Sequence, residues 1–376
     1  MMQKIVSTAG LTRRRGLAAA ATVLAAGMAA LPTPAVMAAK RKVKLVSGAG
    51  AIDSSDVGFF SSIPIGAGFY ADEGIDAEVF SVNGSSAAVN LLASGQVQFT
   101  NQSNGGLFAG VDKGVPMIAF ICQIPDNFFA LAVPAGSRIR TVEDLKGKTI
   151  GVPSVGGGTV VMMKAVARQI GWINDKDIEY LAVGGGLPAL DALQRDRVQA
   201  LFLWSSPYGL FEGNGAKLTY FVPQPLPQLG FTQTTNVTLQ LIKDDPALVA
   251  AMARALARSL VFMAAAQPEE LTKLHFRVFP DTKPPGLNEA DVLRVDRSRL
   301  LKQIGYMRFP QRVFERTEKL GDARDVVIEE VRDLLHDGGE IKQALPVDRY
   351  FTRRFLADMN NIDFDGIIAR AKAFRA

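Results

Sequence analysis

Histidine and cysteine are nearly missing from this chain of 376 residues, which holds His275, His336 and the single Cys122. A lone cysteine excludes an internal disulfide framework and any cysteine-rich metal or cluster site. Two imidazoles leave no His-clustered metal centre and few partners for a catalytic triad. Charge of one sign is scarce too. The formal net charge of +5 resides mainly in residues 1–38, which carry Lys4, Arg13, Arg14 and Arg15 and no acid. The remaining 38 basic residues face 37 acidic ones, so the folded part has no basic excess of the kind nucleic-acid binding requires. Gly156-Gly157-Gly158 lacks the spacing of a dinucleotide fingerprint, and no Gly-Lys-Ser/Thr phosphate loop occurs.

Apolar residues make up 48% of the chain, enough to build sizeable cores, and the length suits about two domains. Residues 1–38 have the three zones of an export signal: a basic start, an apolar run Leu17–Leu31, and Val36-Met37-Ala38 as a small-residue cleavage site. The run is shorter than the ~20 residues a spanning helix needs, which favours a cleaved signal over a retained anchor. Thr12-Arg13-Arg14-Arg15-Gly16-Leu17 is similar to a twin-arginine signal. No cysteine stands at the cleavage point to take a lipid. The mature chain is expected in a periplasm. Cys122, inside the run Met117–Cys122, reads as a core thiol.

Beyond the leader, strands alternate with turns and helices, the pattern of an α/β fold with mainly parallel strands. Val43–Ser47, Ile75–Val82 and Val97–Thr100 read as strands, with a long apolar helix ending near Ala71 and a helix at Ala87–Ala93. The grammar repeats with strands Thr149–Val152, Ile178–Val183 and Val198–Leu203 and helices Thr159–Ile170 and Pro188–Leu193. Between them Thr141 and Asp144 form a weak capping box. Ala88, Leu92, Val97 and Gln98 recur 101 residues later as Ala189, Leu193, Val198 and Gln199, supporting two similarly built lobes. Phe128–Val133 and Phe231–Leu241 read as paired crossings between lobes, the second after a stretch with Pro223, Pro225 and Pro227. These define a first lobe of 39–130 plus 232–376, with C-terminal helices, and a second lobe of 131–231. Asp245-Pro246 opens a helix to about Ala266. Further helices fit Glu289–Gln303, Arg312–His336 and Phe364–Phe374, with apolar faces that read as core.

In open parallel sheets the carboxyl ends of strands meet helix N-termini, and ligands bind there. The turns at that position are Asp53-Ser54-Ser55, Gly84-Ser85-Ser86 and Gln102-Ser103-Asn104 in the first half. In the second half they are Ser154 with Gly157-Gly158-Thr159, and Trp204-Ser205. All are small or able to hydrogen-bond, and none contains Lys or Arg. Helix-end amides hold a monoanion without a guanidinium, Asp53 suits an amino group, and Trp204 offers an aromatic wall.

Four segments resemble a known family. Gly68-Phe69-Tyr70-Ala71-Asp72-Glu73-Gly74-Ile75-Asp76-Ala77-Glu78-Val79 is similar to the Gly-Tyr-Phe-x-x-Glu-Gly-Leu-Asp-Val-Glu segment of nitrate/sulfonate/taurine-type substrate-binding proteins of ABC importers, a group that includes thiamine-pyrimidine-precursor binders. Leu92–Phe99, Asp144–Val152 and Leu193–Tyr208 resemble three further segments in order, so the match spans about residues 43–265. Gln98 and Gln199 stand where the family has Asp, Asp196 replaces a Gly, and Trp204-Ser205-Ser206-Pro207-Tyr208 is one residue longer than Trp-Glu-Pro-Tyr.

The resemblance implies a two-lobed periplasmic binding fold (type II) that closes on a small organic ion: a sulfonate, a carboxylate or a nitrogenous compound. It also implies an inner-membrane permease and ATPase as partners. A monomer is expected, with no cofactor, metal or nucleic acid. Some relatives are enzymes. The pyrimidine-synthase type needs a cysteine-rich iron motif, which one cysteine excludes. The desulfinase type places a cysteine near the first strand, where this chain has Ile52-Asp53-Ser54-Ser55. Neither histidine lies near an expected pocket turn to serve a serine. A ligand sensor for a membrane receptor is the third reading.

Overall fold

Residues 41–47 alternate exposed and buried side chains before ending in a buried run, as an inner strand of a half-covered sheet does. They form β1 (Arg41–Ser47) in a computed structural model that describes residues 40–224, 226 and 229–376. Residues 1–38, expected as an export signal, and Pro225 and Pro227 lie outside the described residues. Then come α1 (Ser62–Gly66), α2 (Phe69–Asp72), β2 (Ile75–Ser81), α3 (Ser85–Ala93), β3 (Phe99–Ser103), α4 (Asn104–Asp112) and β4 (Met117–Ile124). The second series is β5 (Phe129–Pro134), β6 (Lys148–Val152), α5 (Gly158–Gln169), β7 (Ile178–Ala182), α6 (Leu187–Gln194), β8 (Ala200–Trp204), α7 (Ser205–Gly213) and β9 (Leu218–Phe221). The chain ends with β10 (Gln233–Thr238), α8 (Leu239–Asp244), α9 (Pro246–Ala265), α10 (Pro268–Val278), α11 (Glu289–Ile304), α12 (Asp325–Asp337), α13 (Leu356–Asn360) and α14 (Phe364–Ala373).

The strands make two five-stranded sheets of the same plan, β2-β1-β3-β10-β4 and β7-β6-β8-β5-β9. In each the first three are parallel, with Leu45 opposite Val79 in one sheet and Ile150 opposite Tyr180 in the other. The fourth strand runs antiparallel in both. This is a two-lobed α/β fold of the periplasmic-binding type. Parallel order fits the expectation; the antiparallel fourth strand in each sheet comes from the crossings.

The chain crosses between sheets twice, between β4 and β5 and between β9 and β10. The crossings pair with each other: Phe231 N donates to Pro125 O at 3.1 Å and Thr232 N to Ile124 O at 3.0 Å. The strands that follow then part, β5 entering the second sheet and β10 the first. At Gly230 a Cβ would lie 1.8 Å from Pro125 O, so the close pairing admits only glycine there.

Three local differences have simple causes. The long apolar helix expected to end near Ala71 is instead a turn region followed by α1 and α2, broken where Gly68 takes φ 82°. A helix interior cannot continue through a left-handed residue. The helix expected over Arg312–His336 is a short turn of π-helix at 310–314, a loop, and then α12; Arg316 and Gly321 have φ of 59° and 83° within that loop. Asn104–Asp112, unassigned in the sequence, is α4. β4, β9, α7, α8, α10 and α13 are likewise unassigned in the sequence, and elsewhere the ends move by up to three residues.

The C-terminal helices serve both sheets. α10 packs on α1, α13 and α14 on α9, whereas α11 packs along α7 and α12 on α5. α9 is long and apolar enough to cross a membrane, but its side chains are mostly core. Cys122 is fully buried in β4, where burial pushes its thiol up to about 12.

Candidate functional site

A cavity of about 520 Å3 opens where the carboxyl ends of both sheets face one another. Five helices begin there: α3, α4, α5, α6 and α7. None of the five has a side-chain hydrogen bond capping its N-terminus. Elsewhere Thr238, Asp245, Asn288 and Asp363 cap their helices with a side-chain oxygen, whereas α1, α2, α10, α12 and α13 also begin without one.

Of the residues expected at the site, Asp53, Ser54, Gly84, Ser85, Gln102, Ser103, Ser154, Gly157, Gly158, Thr159 and Trp204 line this cavity. Four do not. Ser55 turns its hydroxyl to Asp53 Oδ1 at 3.1 Å, inside its own loop. Ser86 donates to Gly156 O at 2.9 Å, bridging the lobes at the rim. Asn104 Oδ1 accepts from Gly105 N at 2.7 Å and its backbone N–H reaches Thr232 O, fixing the crossing. Ser205 is buried and donates to Gln303 of α11.

The lobes touch through glycines. A Cβ on Gly105 would sit 2.5 Å from Gly158 O, and one on Gly84 2.6 Å from Ser154 Oγ. Side chains there would hold the rims apart.

The charged part of the site was not legible as such. The five turns contain no arginine, but α11 brings one. Val292, Val295, Asp296 and Arg299 fall at i, i+3, i+4 and i+7 on one helix face and all line the cavity. Arg299 Nη2 donates to Asp53 Oδ2 at 2.7 Å, and Nη1 lies 3.7 Å from Asp296 Oδ1. Asp53 is thereby occupied: its Oδ1 also accepts Ser55 N at 2.9 Å and Asp56 N at 2.7 Å. It is not free to take an amino group, as its position alone suggested. Asp296 accepts from Ser54 Oγ and from Thr272 Oγ1, the latter at 2.6 Å.

Asp56 carries the unmet demand. Ser206 Oγ donates to its Oδ2 at 2.7 Å, and its Oδ1 is buried without a partner. Burial and the charge of Asp53 push its carboxyl up to about 8, against the opposing pull of Arg299, Ser206 and Trp204. Burial would also raise Asp53, but Arg299 and the loop amides hold it below the usual carboxylate range. Arg299 is raised above the ordinary arginine value because Asp53, Asp296 and Asp56 outweigh its burial.

His275 is also in the cavity, contrary to the expectation from its place in the chain. Burial lowers its pKa, so it is neutral; Nε2 meets Thr282 Oγ1 at 2.9 Å and Nδ1 has no partner. Among the described residues no serine or cysteine hydrogen-bonds to either histidine. No group of three or more metal-ligating side chains occurs among the described residues.

Seven of the twelve unpartnered buried side-chain atoms among the described residues belong to this one cavity: Asp56 Oδ1, Gln102 Nε2 and Oε1, Ser154 Oγ, Gln233 Oε1, His275 Nδ1 and Arg299 Nε. Buried polar atoms are otherwise almost always satisfied. Trp204, Phe128 and Phe129 add aromatic wall. Asp56, His275, Asp296, Arg299 and Gln233 escaped the sequence reading; the only signal was the polar pair Asp296 and Arg299 on an otherwise apolar helical stripe.

A double α/β sheet with a solvent-accessible cleft between sheets of identical strand order defines the periplasmic-binding class of folds. A family model described as NMT1/THI5-like matches residues 65–271, more than half of the chain, and the chain belongs to that family. Among solved structures, a protein of Bordetella bronchiseptica RB50 is 16% identical with a TM-score of 0.65, covering 86% of this chain and 98% of that one. The periplasmic aliphatic sulphonate binding protein SsuA of Escherichia coli is 13% identical, TM-score 0.57, covering 82% and 91%. The alkanesulfonate-binding protein SsuA of Xanthomonas axonopodis pv. citri, bound to MOPS, is 16% identical, TM-score 0.57, covering 84% and 99%. At these identities the likeness is one of fold.

Proposed function

We propose that this chain is the periplasmic solute-binding component of an ABC importer, exported by its cleaved leader and acting as a monomer without catalysis. Lobes of 39–130 plus 232–376 and of 131–231 close on one small organic solute and present the closed form to a permease and its ATPase. Family membership and the binding-protein neighbours support the class. The observation that carries the site is the collection of unpartnered buried polar atoms in one interlobe cavity.

Their chemistry favours a nitrogenous head group among the candidate ligands. Asp53 and Asp296 share the single guanidinium of Arg299, so the cluster has no spare positive charge. Gln233 Oε1 is an acceptor without an N–H donor, Asp56 Oδ1 becomes one when a cationic ligand ionises the carboxyl, and Trp204 supplies a face for a cation or heteroaromatic ring. A second reading, a sulfonate or carboxylate, is favoured by the five uncapped helix N-termini.

Thermal melts with aminopyrimidines, amines, carboxylates, sulfonates and nitrate test this, with native mass spectrometry of the protein as purified. A ligand at a hundredfold its Kd adds about 2.7 kcal/mol. A rise with nitrogenous compounds is expected. A response to sulfonates alone overturns the head-group reading; turnover of the ligand overturns the binding-protein reading in favour of an enzyme.

A further inference from the structure

The cavity extends well past the turns. α7 and α11 run antiparallel: Ser205 meets Gln303, Gly209 lies against Arg299, and Arg294 reaches the carbonyl of Gly213. Moving along α7 from Trp204 to Leu210 therefore moves from the polar cleft toward the start of α11. Six residues of helix cover about 9 Å. Asp56 meets Ser206 at the start of α7, and Arg299 lies opposite Gly209, between that end and the start of α11.

Beyond Arg299 the lining is mostly apolar, with Asn214, His275 and Thr282 as its polar members. Leu210 of α7, Phe276 of α10, Val292 and Val295 of α11, and Pro284 and Leu287 of the intervening loop all face the same cavity. Val292 and Val295 are buried, whereas Leu287 is 46% exposed, so this gallery opens to solvent at its far end. A small hydrophilic solute held by Gln102 and Asp56 leaves this apolar wall uncovered.

We infer that the ligand is an elongated amphiphile, with its polar head between the lobes and an alkyl or aryl tail in the gallery formed by α7, α10 and α11. The inference rests on the solute-binding reading above and adds the ligand's shape. It makes the C-terminal helices part of the specificity site.

Calorimetric titration with ethylamine, butylamine, hexylamine and octylamine, beside the matching n-alkanesulfonates, tests it. Affinity is expected to rise roughly two- to fourfold per added methylene in whichever series binds, because each enters an apolar wall. V292W, which fills the gallery, is expected to cut the octyl-to-ethyl affinity ratio at least tenfold. The thermal melt of V292W itself reports whether the variant folds. Short members that bind while longer ones gain nothing, or an unchanged ratio in V292W, overturn the gallery and leave the solute-binding reading intact. Failure of every member of both series to bind overturns both.

Discussion

The two lobes repeat each other in backbone and diverge in charge. Gln98 and Gln199, where the resembling family carries Asp, do the same work in each: the side-chain carbonyl accepts from Lys44 N at 2.8 Å in one lobe and from Thr149 N at 3.1 Å in the other. Their own N–H groups return the bond, to Lys44 O and Thr149 O, both at 2.9 Å. Gly95 and Asp196 precede them with φ of 72° and 55°. An aspartate tolerates the left-handed region better than most non-glycine residues, so the turn survives the replacement. The departures from the family pattern at these positions are therefore scaffold exchanges, outside the cavity lining.

At the cavity the likeness stops. The second lobe offers an uncharged face of Ser154, Gly157, Gly158, Thr159, Gly184–Gly186 and Trp204. The first offers the same kind of turns plus the Asp53–Asp56 loop, which is joined to Asp296, Arg299 and His275 from helices with no counterpart in the repeat. Repetition builds the clasp; the unrepeated segments supply its chemistry.

The largest expected break in this comparison is R299M. It leaves Asp53 and Asp296 buried without their cation, costing about 3–5 kcal/mol in denaturant unfolding. T159V, at the uncharged face, is expected to cost about 1 kcal/mol or less. Equal costs would remove the asymmetry.

Next comes pH. Asp56 has a folded-state pKa raised to about 8, so the folded protein binds a proton there that the unfolded chain releases near its ordinary value of ~3.9. Its stabilising effect is complete below about pH 4 and lost as pH rises through 8. Unliganded protein is thus expected to lose at least about 2 kcal/mol from this group between those limits, one pKa unit being ~1.4 kcal/mol. Asp53, Arg299, Ser206 and Trp204 face the same carboxyl, so the reference is D56N, whose melts should show a flatter dependence over that range. An identical slope in D56N contradicts the assignment. A cationic ligand that ionises Asp56 should also release a proton, seen as a buffer-dependent heat of binding.

W204A removes the aromatic wall from the second lobe and should weaken a nitrogenous ligand by about 0.5–2 kcal/mol in titration. The smallest effects belong to Q98A and Q199A. Each is expected to cost about 0.5–1.5 kcal/mol, alike within error, and to leave ligand affinity unchanged. Unequal costs would mean that the repeat is less exact than its strand order.

Most strands, the helix starts and the two-lobed plan were legible because each depends on neighbours in sequence: apolar runs, Gly and Ser turns, an Asp-Pro start. Eleven of the fifteen expected site residues line the cavity for the same reason, since strand-to-helix turns converge whenever such sheets face each other. Ser205 and Asn104 sit at those turns too, but their side chains are taken by Gln303 and by the crossing. Arg299 and His275 could not be placed, because a helix stripe of Val292, Val295, Asp296 and Arg299 does not say which surface it meets. The break at Gly68 was hidden because an apolar run conceals a single left-handed residue.

The central claim is that both lobes clasp one solute, and a crosslink across the rim addresses it most directly. A Cβ at Gly156 would lie 3.7 Å from that of Ser86, close to the separation of a disulfide, and the native Cys122 is buried away from it. In S86C/G156C, oxidation in the presence of a solute that raises the melting temperature should trap that solute through dialysis, with mass spectrometry reading one molecule per chain until reductant frees it. Oxidation without solute should block uptake. A solute that washes out of the oxidised protein as fast as from the reduced one would contradict the account.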